Sequence, residues 1–590
     1  MTRRLLATLI ATLLLNAATA MPVDDGHQDA VDVIIVGAGI AGLSAAVDLA
    51  AQGVQVAVFD MNSQGSGHAI LASGIAMVNT EKQRAAGIQD STEQALKDWL
   101  AYSEDGNPKW LRFYADHSSA MVYDWLTELG VVFDNLVADD TNRSLPRFHY
   151  PDGEARDIVL PIYRKALSFP NLHFYFNTQV TDILSEGGRA IGVKTRNLRS
   201  GAAGDYHAAH IVLATGGMAG SLARIRDHWP AHFPDDAALL AGGSHFAQGL
   251  GHDMATSLGA AQQHLNRHWF YPVGIPDPAA PDSGHGITLS GPRGLWLNDE
   301  GQRFINPLSS NKAILDVMTT LPEASFWLVF DDRVRSTLKP RTIKYRYDRS
   351  RYERELINNP KLVAKAASLS ELAEKTGMPA TTLSASIARF NTLLAEGNDR
   401  DFGRFPASFS GNVTMPAVPL KPITEPPFYA IRIHPSNAES MGGVVIDKGA
   451  HVLSTQGQHI PGLYAAGELT GSMGMNGSKY RINGLYLGPS VMTGRLAAAS
   501  ILKALGDTRT GAIPPQITVQ RPANSPYDAA TMKARLKSPQ NGYWHFESVH
   551  DVVLSRELSC DSCHSDAFPK RAALTHRERL AQTQVCTVCH

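Results

Sequence analysis

Residues 31–60 contain the pattern that most restricts how this chain can fold. A short apolar run rich in β-branched residues, over 31–36, predicts a buried parallel strand. The sequence continues with GAGIAG at 37–42, a helical pattern, and a second apolar run over 54–59 that ends at Asp60. A strand, a G-x-G-x-x-G turn, a helix, a strand and an acid follow one another as in a dinucleotide-binding unit. We therefore expect an α/β protein with a Rossmann-like domain.

Several residues of this unit have defined expected roles toward the dinucleotide. Gly37 would make the tight turn, and Gly39 would let the backbone approach a pyrophosphate at the positive end of the helix. Gly42 would let the helix pack close to the sheet, and Asp60 would accept hydrogen bonds from ribose hydroxyls. With Ala38 in the same turn, these residues form the predicted binding loop.

The four cysteines of the 590-residue chain all lie close to its last residue. They form two C-x-x-C-H motifs, the attachment pattern of c-type haem. A structural zinc site and two disulfides are alternatives, but a histidine follows both cysteine pairs, which zinc ribbons do not require. We expect two c-type haems, held by Cys560, Cys563, Cys586 and Cys589 and ligated by His564 and His590. The candidates for the remaining iron positions are His545, His550 and His576, and bis-histidine ligation would favour electron transfer.

Residues 1–20 predict an export signal. Two arginines precede an apolar run over 5–15, and Ala18-Thr19-Ala20 resembles a cleavage site. Eleven apolar residues are too few to span a membrane, so we expect a periplasmic protein without a transmembrane span in the mature chain. The general and twin-arginine export routes both remain open. A formal net charge of −2 argues against nucleic-acid binding.

Two further strand-to-glycine patterns occur at 210–217 and 461–468, followed by GLYLGPS at 484–490 and a helix. In this order the motifs resemble the FAD-dependent family of fumarate reductase and succinate dehydrogenase flavoproteins, flavocytochromes c, urocanate reductase and 3-ketosteroid dehydrogenases. The resemblance covers residues 31–505. It implies contacts with FAD from Ser73, Gly74, Thr215, Gly216, Asp253, Glu468, Leu487 and Ser490.

His68 aligns with the segment in which succinate dehydrogenase flavoproteins carry a histidine bonded to the flavin. The resemblance therefore suggests the hypothesis that FAD is covalently attached through His68. The alternative is a histidine that only packs near the flavin.

The resemblance also implies an α+β capping domain inserted into the FAD-binding domain, and a small C-terminal c-type dihaem module completes the predicted architecture. The predicted segments are a signal peptide over 1–20, FAD-binding parts over 31–239 and 416–505, a capping domain over 240–415, a linker over 506–540 and a dihaem module over 541–590.

The resemblance implies substrate roles for three residues of the predicted capping and FAD-binding parts. Arg481 falls on a carboxylate-binding arginine, Arg293 on an arginine of the proton relay, and His268 near a substrate histidine. Each could instead be a structural ion-pair partner or a packed residue. Two arginine hydrogen bonds to one carboxylate match its planar shape.

Two departures from the fumarate reductase pattern argue against a dicarboxylate substrate. No arginine follows residues 301–306 where those enzymes have their acid, and Lys312 is one or two positions away. Glu439 stands where the family has an anion-binding histidine, and it would repel a dicarboxylate. A substrate with an amine, an imidazole or a neutral carbonyl fits better. Glu439, Tyr480 and His434 then become acid or base candidates.

Together these patterns predict an exported FAD- and haem-containing oxidoreductase that acts on a C=C or CH–CH bond beside an activating group. We expect a respiratory reductase of a small unsaturated organic acid or enone, supplied by a periplasmic or membrane-anchored, quinol-linked cytochrome. The alternatives are a flavin dehydrogenase that passes electrons to the haems, and a non-catalytic electron-transfer flavocytochrome.

Overall fold

The computed structural model describes residues 31–506, apart from residues 63, 140, 199–200, 291–292, 336, 341–344, 346–348 and 406–419. The predicted export signal, the dihaem module and the linker beyond residue 506 lie outside the described residues.

The described residues contain both long and very short strands. In chain order they are β1 (Val33–Val36), β2 (Val56–Phe59), β3 (Ile75–Ala76), β4 (Asn135–Val137), β5 (Phe148–Tyr150), β6 (Leu172–Tyr175), β7 (Thr178–Glu186), β8 (Arg189–Asn197), β9 (Ala203–His207), β10 (His210–Leu213), β11 (Leu240–Ala241), β12 (Gln262–Gln263), β13 (His268–Pro276), β14 (Gly286–Ser290), β15 (Leu295–Leu297), β16 (Phe326–Asp331), β17 (Lys339–Pro340), β18 (Val363–Ala366), β19 (Phe428–Ser440), β20 (Gly443–Val444), β21 (His451–Leu453) and β22 (His459–Ala465).

The longest helices in the described residues span 380–396 and 487–505. The α-helices are α1 (Ile40–Ala51), α2 (Glu81–Ala85), α3 (Thr92–Ser103), α4 (Pro108–Ser118), α5 (Trp125–Glu128), α6 (Arg156–Leu167), α7 (Leu222–Asp227), α8 (Leu250–Ser257), α9 (Asn311–Met318), α10 (Asp332–Arg335), α11 (Arg349–Tyr352), α12 (Leu369–Thr376), α13 (Ala380–Glu396) and α14 (Leu487–Leu505). Short 3-10 helices cover His68–Leu71, Pro322–Ala324 and Gly467–Gly474, and π-helical turns cover Ser119–Asp124 and Glu353–Ile357.

The first sheet has the strand order β21-β22-β10-β1-β2-β6, and β1 pairs in parallel with both β10 and β2. All four residues of β1 are buried, as expected for a central parallel strand covered on both faces. Helix α1 packs against α14, where a Cβ on Gly494 would meet the Ala41 carbonyl oxygen at 2.2 Å. The predicted Rossmann-like α/β fold is thus confirmed.

The second sheet follows β15-β16-β19-β13-β14-β17, with β11 and β18 also paired to β19. The 13-residue strand β19 pairs with β13, β16 and β18 and forms the middle of this sheet. Residues 428–440 therefore belong structurally with the strands of the predicted capping domain, although the predicted boundary at 415 assigned them to the second FAD-binding part. A separate apolar core lies between this sheet and helices α12 and α13.

No helix within the described part of the chain combines the length and the apolar character needed to cross a membrane.

Candidate active site

The glycine-rich turn joins the end of β1 to helix α1. Gly37 has a φ of +108°, and a Cβ there would meet the Ala214 carbonyl oxygen at 2.3 Å. A Cβ on Gly42 would meet the Gly37 carbonyl oxygen at 2.0 Å. By contrast, a Cβ on Gly39 would have no described atom within 4 Å. Gly37 and Gly42 are needed for the packing of the turn itself, whereas Gly39 keeps open the space at the helix N-terminus where a pyrophosphate would bind.

Asp60 follows the end of β2 and lies partly buried beside this turn. Its Oδ2 accepts a hydrogen bond from the Ala38 N–H at 2.6 Å, and its Oδ1 accepts one from the Asn62 N–H at 2.7 Å. Burial raises the pKa of Asp60 to about 6, although both N–H donors act in the opposite direction. The carboxylate retains acceptor positions for ribose hydroxyls. Ala38 therefore acts by holding Asp60 and is not part of the cavity wall.

A cavity of about 330 Å³ extends from this turn to the second sheet. Of the predicted site residues, its wall contains Gly37, Gly39, Asp60, His68, Ser73, Gly74, Thr215, Gly216, Glu439, Glu468, Arg481, Leu487 and Ser490. Its lining comes from both sheets, so a ligand would lie between the dinucleotide-binding part and the predicted cap.

Glu468 lies in the cavity wall at the start of the 3-10 helix Gly467–Gly474. Its Oε1 accepts a hydrogen bond from the Ser440 N–H at 2.9 Å. Burial, together with the nearby charge of Glu439, raises the pKa of Glu468 to about 8. The Ser440 donor works against this shift. This contact joins the end of β19 to the dinucleotide-binding part.

Arg481 and Glu439 form a buried ion pair in the same wall. Nη1 of Arg481 lies 2.8 and 2.7 Å from the two carboxylate oxygens of Glu439, and each side chain is 14% exposed. Burial alone would lower the pKa of Arg481, but Glu439 raises it overall above its usual value. The rings of Trp269, Tyr271 and Tyr486 surround the guanidinium at 5.4 to 5.8 Å. This part of the wall therefore presents a neutralised cation among aromatic rings.

Comparison with known proteins identifies the family. A family model described as "FAD binding domain" matches residues 32–480. The chain belongs to this FAD binding domain family. The open turn at Gly39 and the partly buried carboxyl groups of Asp60 and Glu468 in the cavity wall fit such a cofactor, so the residues present agree with FAD.

Curated relatives of this FAD binding domain protein include reductases and dehydrogenases. It is 29% identical to a "Fumarate reductase (cytochrome)" of Shewanella frigidimarina, over 81% of this chain and 78% of that protein. It is 26% identical to a KsdD-like steroid dehydrogenase of Mycobacterium tuberculosis, over 82% of this chain and 97% of that protein. A urocanate reductase of Eggerthella lenta is 26% identical over 81% of this chain and 75% of that protein. The resemblance predicted from the motifs is confirmed.

Solved structures share the fold of this FAD binding domain protein. The open conformation of a flavocytochrome c3 fumarate reductase gives a TM-score of 0.61 at 24% identity, covering 84% of this chain and 81% of that one. A 3-ketosteroid delta1-dehydrogenase from Sterolibacterium denitrificans also gives 0.61, at 20% identity, covering 81% of this chain and all of that one.

His68 begins the 3-10 helix His68–Leu71 and lies half-buried in the cavity wall. A Cβ on the preceding Gly67 would meet the Gly39 Cα at 3.0 Å, so this segment packs directly on the glycine-rich turn. The covalent hypothesis remains a prediction. It requires that flavin stay with the protein after acid precipitation, whereas a histidine that only packs nearby would let all flavin enter the supernatant.

His268 lies on β13 but does not line the cavity bounded by the described residues. It is fully buried, with Nε2 3.2 Å from the His228 carbonyl oxygen and Nδ1 3.1 Å from Nδ2 of Asn437. Burial lowers its pKa to about 4. Tyr271 lines the cavity instead, with its hydroxyl 3.4 Å from Nη2 of Arg481. Tyr271 was not among the residues predicted from the sequence, because the register shifts in β13 interrupt the alternation that would assign residues to its two faces.

The structure places three other predicted residues away from the cavity wall. The Tyr480 hydroxyl donates to Asp316, and burial raises the pKa of this phenol. Asp253 on helix α8 forms an ion pair with Arg224 on helix α7. Arg293 does not line the cavity bounded by the described residues. Their predicted roles toward substrate and cofactor remain predictions.

His434 and Lys312, two further candidates for proton transfer, lie elsewhere in the described structure. His434 lies on β19, where burial lowers its pKa to about 4. Nζ of Lys312 lies 2.5 Å from the carboxylate of Glu104 and 4.2 Å from the centre of the Tyr480 ring. Neither residue lines the cavity in the described part of the chain.

We expect the flavin-free protein to become less stable as the pH rises from 6 to 8, because of Glu468. The unfolded chain ionises this group near its usual pKa of 4.5, whereas the folded protein retains the proton up to about pH 8. The unfolded state therefore binds fewer protons, and the free energy of unfolding decreases with increasing pH. Glu468→Gln should flatten this dependence. Thermal unfolding at pH 6 and pH 8 measures the slopes, and equal slopes for the two proteins would contradict the assignment.

Proposed function

We propose that this chain is an exported flavocytochrome c that reduces a C=C bond beside an activating carbonyl. When bound, FAD supplies hydride exchange at its ring and links one-electron and two-electron chemistry. The proposal is supported by the cavity between the two sheets, by the family membership, and by the reductases and dehydrogenases among the relatives. The observation that carries the substrate class is the ion pair between Arg481 and Glu439.

The ion pair favours a substrate that is not a dicarboxylate. Glu439 already neutralises Arg481, so a second carboxylate would gain little attraction and would approach a like charge. The Tyr271 hydroxyl and the aromatic rings around Arg481 suit an apolar molecule with a carbonyl oxygen. We infer an enone, or an unsaturated acid with a neutral or basic second group, as the substrate class.

Reduced methyl viologen as electron donor tests the proposal directly. The full-length protein should turn over neutral enones or an imidazole-bearing acrylate with a kcat/KM at least about tenfold above that for fumarate, a difference of ~1.4 kcal/mol in transition-state binding. Preference for fumarate would contradict the substrate class. Turnover only with saturated compounds and an electron acceptor would support the dehydrogenase alternative. No turnover in either direction with bound flavin would support the non-catalytic alternative.

In this proposal the two C-x-x-C-H motifs are haem sites. A periplasmic or membrane-anchored, quinol-linked cytochrome gives electrons to these haems, and the haems pass them to FAD. We expect two haems for each flavin, measured by the pyridine haemochrome spectrum and the flavin absorbance after extraction. The double variant Cys560→Ser and Cys563→Ser should retain one haem and one flavin, because each motif would attach its own haem. Zinc in place of haem, or an unchanged haem count in the variant, would contradict the assignment.

A further inference from the structure

Three side chains that could bind a metal ion lie close together in the predicted cap. His245 follows β11, and Asp277 and His285 face each other across the loop between β13 and β14. One potential ligand atom from each residue lies within 4.8 Å of the other two. All three residues line the cavity. None of them was singled out by the sequence, because the three positions share no motif.

The backbone holds two of these residues in a defined geometry. The Asp277 N–H donates to the His285 carbonyl oxygen at 2.9 Å, and the Ala279 N–H donates to Oδ1 of Asp277 at 2.9 Å. The Ala241 N–H donates to the Gly284 carbonyl oxygen at 3.0 Å, which fixes the hairpin loop against β11. The side chains of Asp277 and His285 are only 10% and 14% exposed.

The hydrogen bonding of His285 creates an electrostatic conflict. Its Nε2 lies 3.2 Å from the Gly243 carbonyl oxygen, which can only accept, so this nitrogen carries a proton. Its Nδ1 is buried and has no hydrogen-bond partner within the described residues. This Nδ1 lies 3.3 Å from Oδ2 of Asp277. In the tautomer set by that bond, the Nδ1 lone pair faces a carboxylate oxygen, an arrangement that a cation between the two groups would stabilise.

His245 favours the cation. It supplies a second imidazole, since one of its ring nitrogens lies within 4.8 Å of a ligand atom of Asp277 and of His285. Two imidazole nitrogens and one carboxylate form a donor set that zinc prefers. We propose that His245, Asp277 and His285 bind one divalent zinc-type ion at this edge of the cavity.

This site is separate from the ion pair of Arg481 and Glu439. It shares no residue with that ion pair, although both lie in the wall of the same cavity. The ion would join the segment after β11 to the β13–β14 hairpin and so stabilise the wall of the cavity. This inference does not depend on the proposed reductase function.

Zinc binding to the full-length protein with its native cofactors tests the site. Equilibrium dialysis against zinc chloride, with zinc counted by mass spectrometry, should show one more zinc ion in the wild type than in Asp277→Asn or His285→Gln. We expect the affinity of this ion to fall at least about 100-fold in each variant, since loss of a ligand exceeds the effect of losing its outer partner. Zinc should also raise the thermal unfolding temperature of the wild type more than that of the variants.

The control uses a different group of possible ligands, formed by Asp447, His451 and His459. There both imidazoles lie within 3.1 Å of the Asp447 carboxylate. His459→Gln changes only this surface cluster, so it should leave the proposed zinc ion at His245, Asp277 and His285 in place. Anomalous diffraction at the zinc edge from wild-type crystals locates the ion even if a variant is unstable. Equal zinc binding in wild type and Asp277→Asn, or no anomalous peak at His285, would overturn the proposal.

Discussion

Replacing Glu439 with glutamine is expected to make the cavity bind dicarboxylates. Glutamine has almost the same shape, so Arg481 remains in the wall but loses its buried counter-charge. Removing one partner of a buried ion pair typically costs about 3–5 kcal/mol, because the other charge is left uncompensated. An added carboxylate can restore part of that energy. We therefore expect succinate or fumarate to bind about 100-fold more tightly to Glu439→Gln than to the wild type, which is ~2.7 kcal/mol.

Titration of the flavin absorbance spectrum with succinate measures this change. The thermal unfolding temperature of Glu439→Gln should also be lower than that of the wild type and should recover when succinate is added. The matched control is the double variant Glu439→Gln and Arg481→Met, which removes the cation and should bind succinate no better than the wild type. If the single variant shows no gain, the ion pair does not control the charge preference of the cavity.

Valine at Gly39 and valine at Gly42 are expected to impair the protein in different ways. Gly39 has φ −73° and ψ 177°, an extended conformation that any residue adopts, and open space surrounds its missing side chain among the described atoms. Gly39→Val should therefore fold normally while its side chain occupies the position of the pyrophosphate. At Gly42 a Cβ would meet a backbone oxygen at 2.0 Å, so Gly42→Val must displace helix α1 from the turn.

Flavin content and thermal unfolding of the flavin-free proteins separate the two effects. Gly39→Val should lose at least about 90% of its flavin, a tenfold or greater change in occupancy, and its flavin-free form should unfold within about 2 °C of the wild type. Gly42→Val should lose flavin and also unfold at a clearly lower temperature, because strain in a packed turn destabilises the fold. Full flavin in Gly39→Val would show that the pyrophosphate does not pass over this residue.

The dinucleotide-binding part could be predicted from the sequence because its signals are local. Apolar runs, glycines and one acid follow in order within 30 residues, and the strands Val33–Val36 and Val56–Phe59 lie inside the predicted runs. The positions of Gly37, Gly39 and Asp60 at the cavity also follow from that order.

The substrate side was less predictable because its contacts connect distant residues. Arg481 and Glu439 were each candidates, but their mutual ion pair depends on how the end of β19 lies against a segment 42 residues further along the chain. His268 and Tyr271 show the same limit at closer range, since the face on which a residue lies depends on the register and bulge of the strand. Similarly, nothing in the neighbourhood of Tyr480 in the sequence indicates its contact with Asp316.

Strand β19 connects the predicted cap directly to Glu468 in the cavity wall. It is the shared partner of four strands in the second sheet, and its last residue, Ser440, contacts Glu468 and accepts a hydrogen bond from the Tyr486 hydroxyl at 2.7 Å. A hinge motion that opened the cap would have to bend the chain after this residue or break these bonds. Breaking them would expose Glu468 further to water and so reduce the burial that raises its pKa. The position of the predicted cap and the surroundings of Glu468 are thus linked through one strand end.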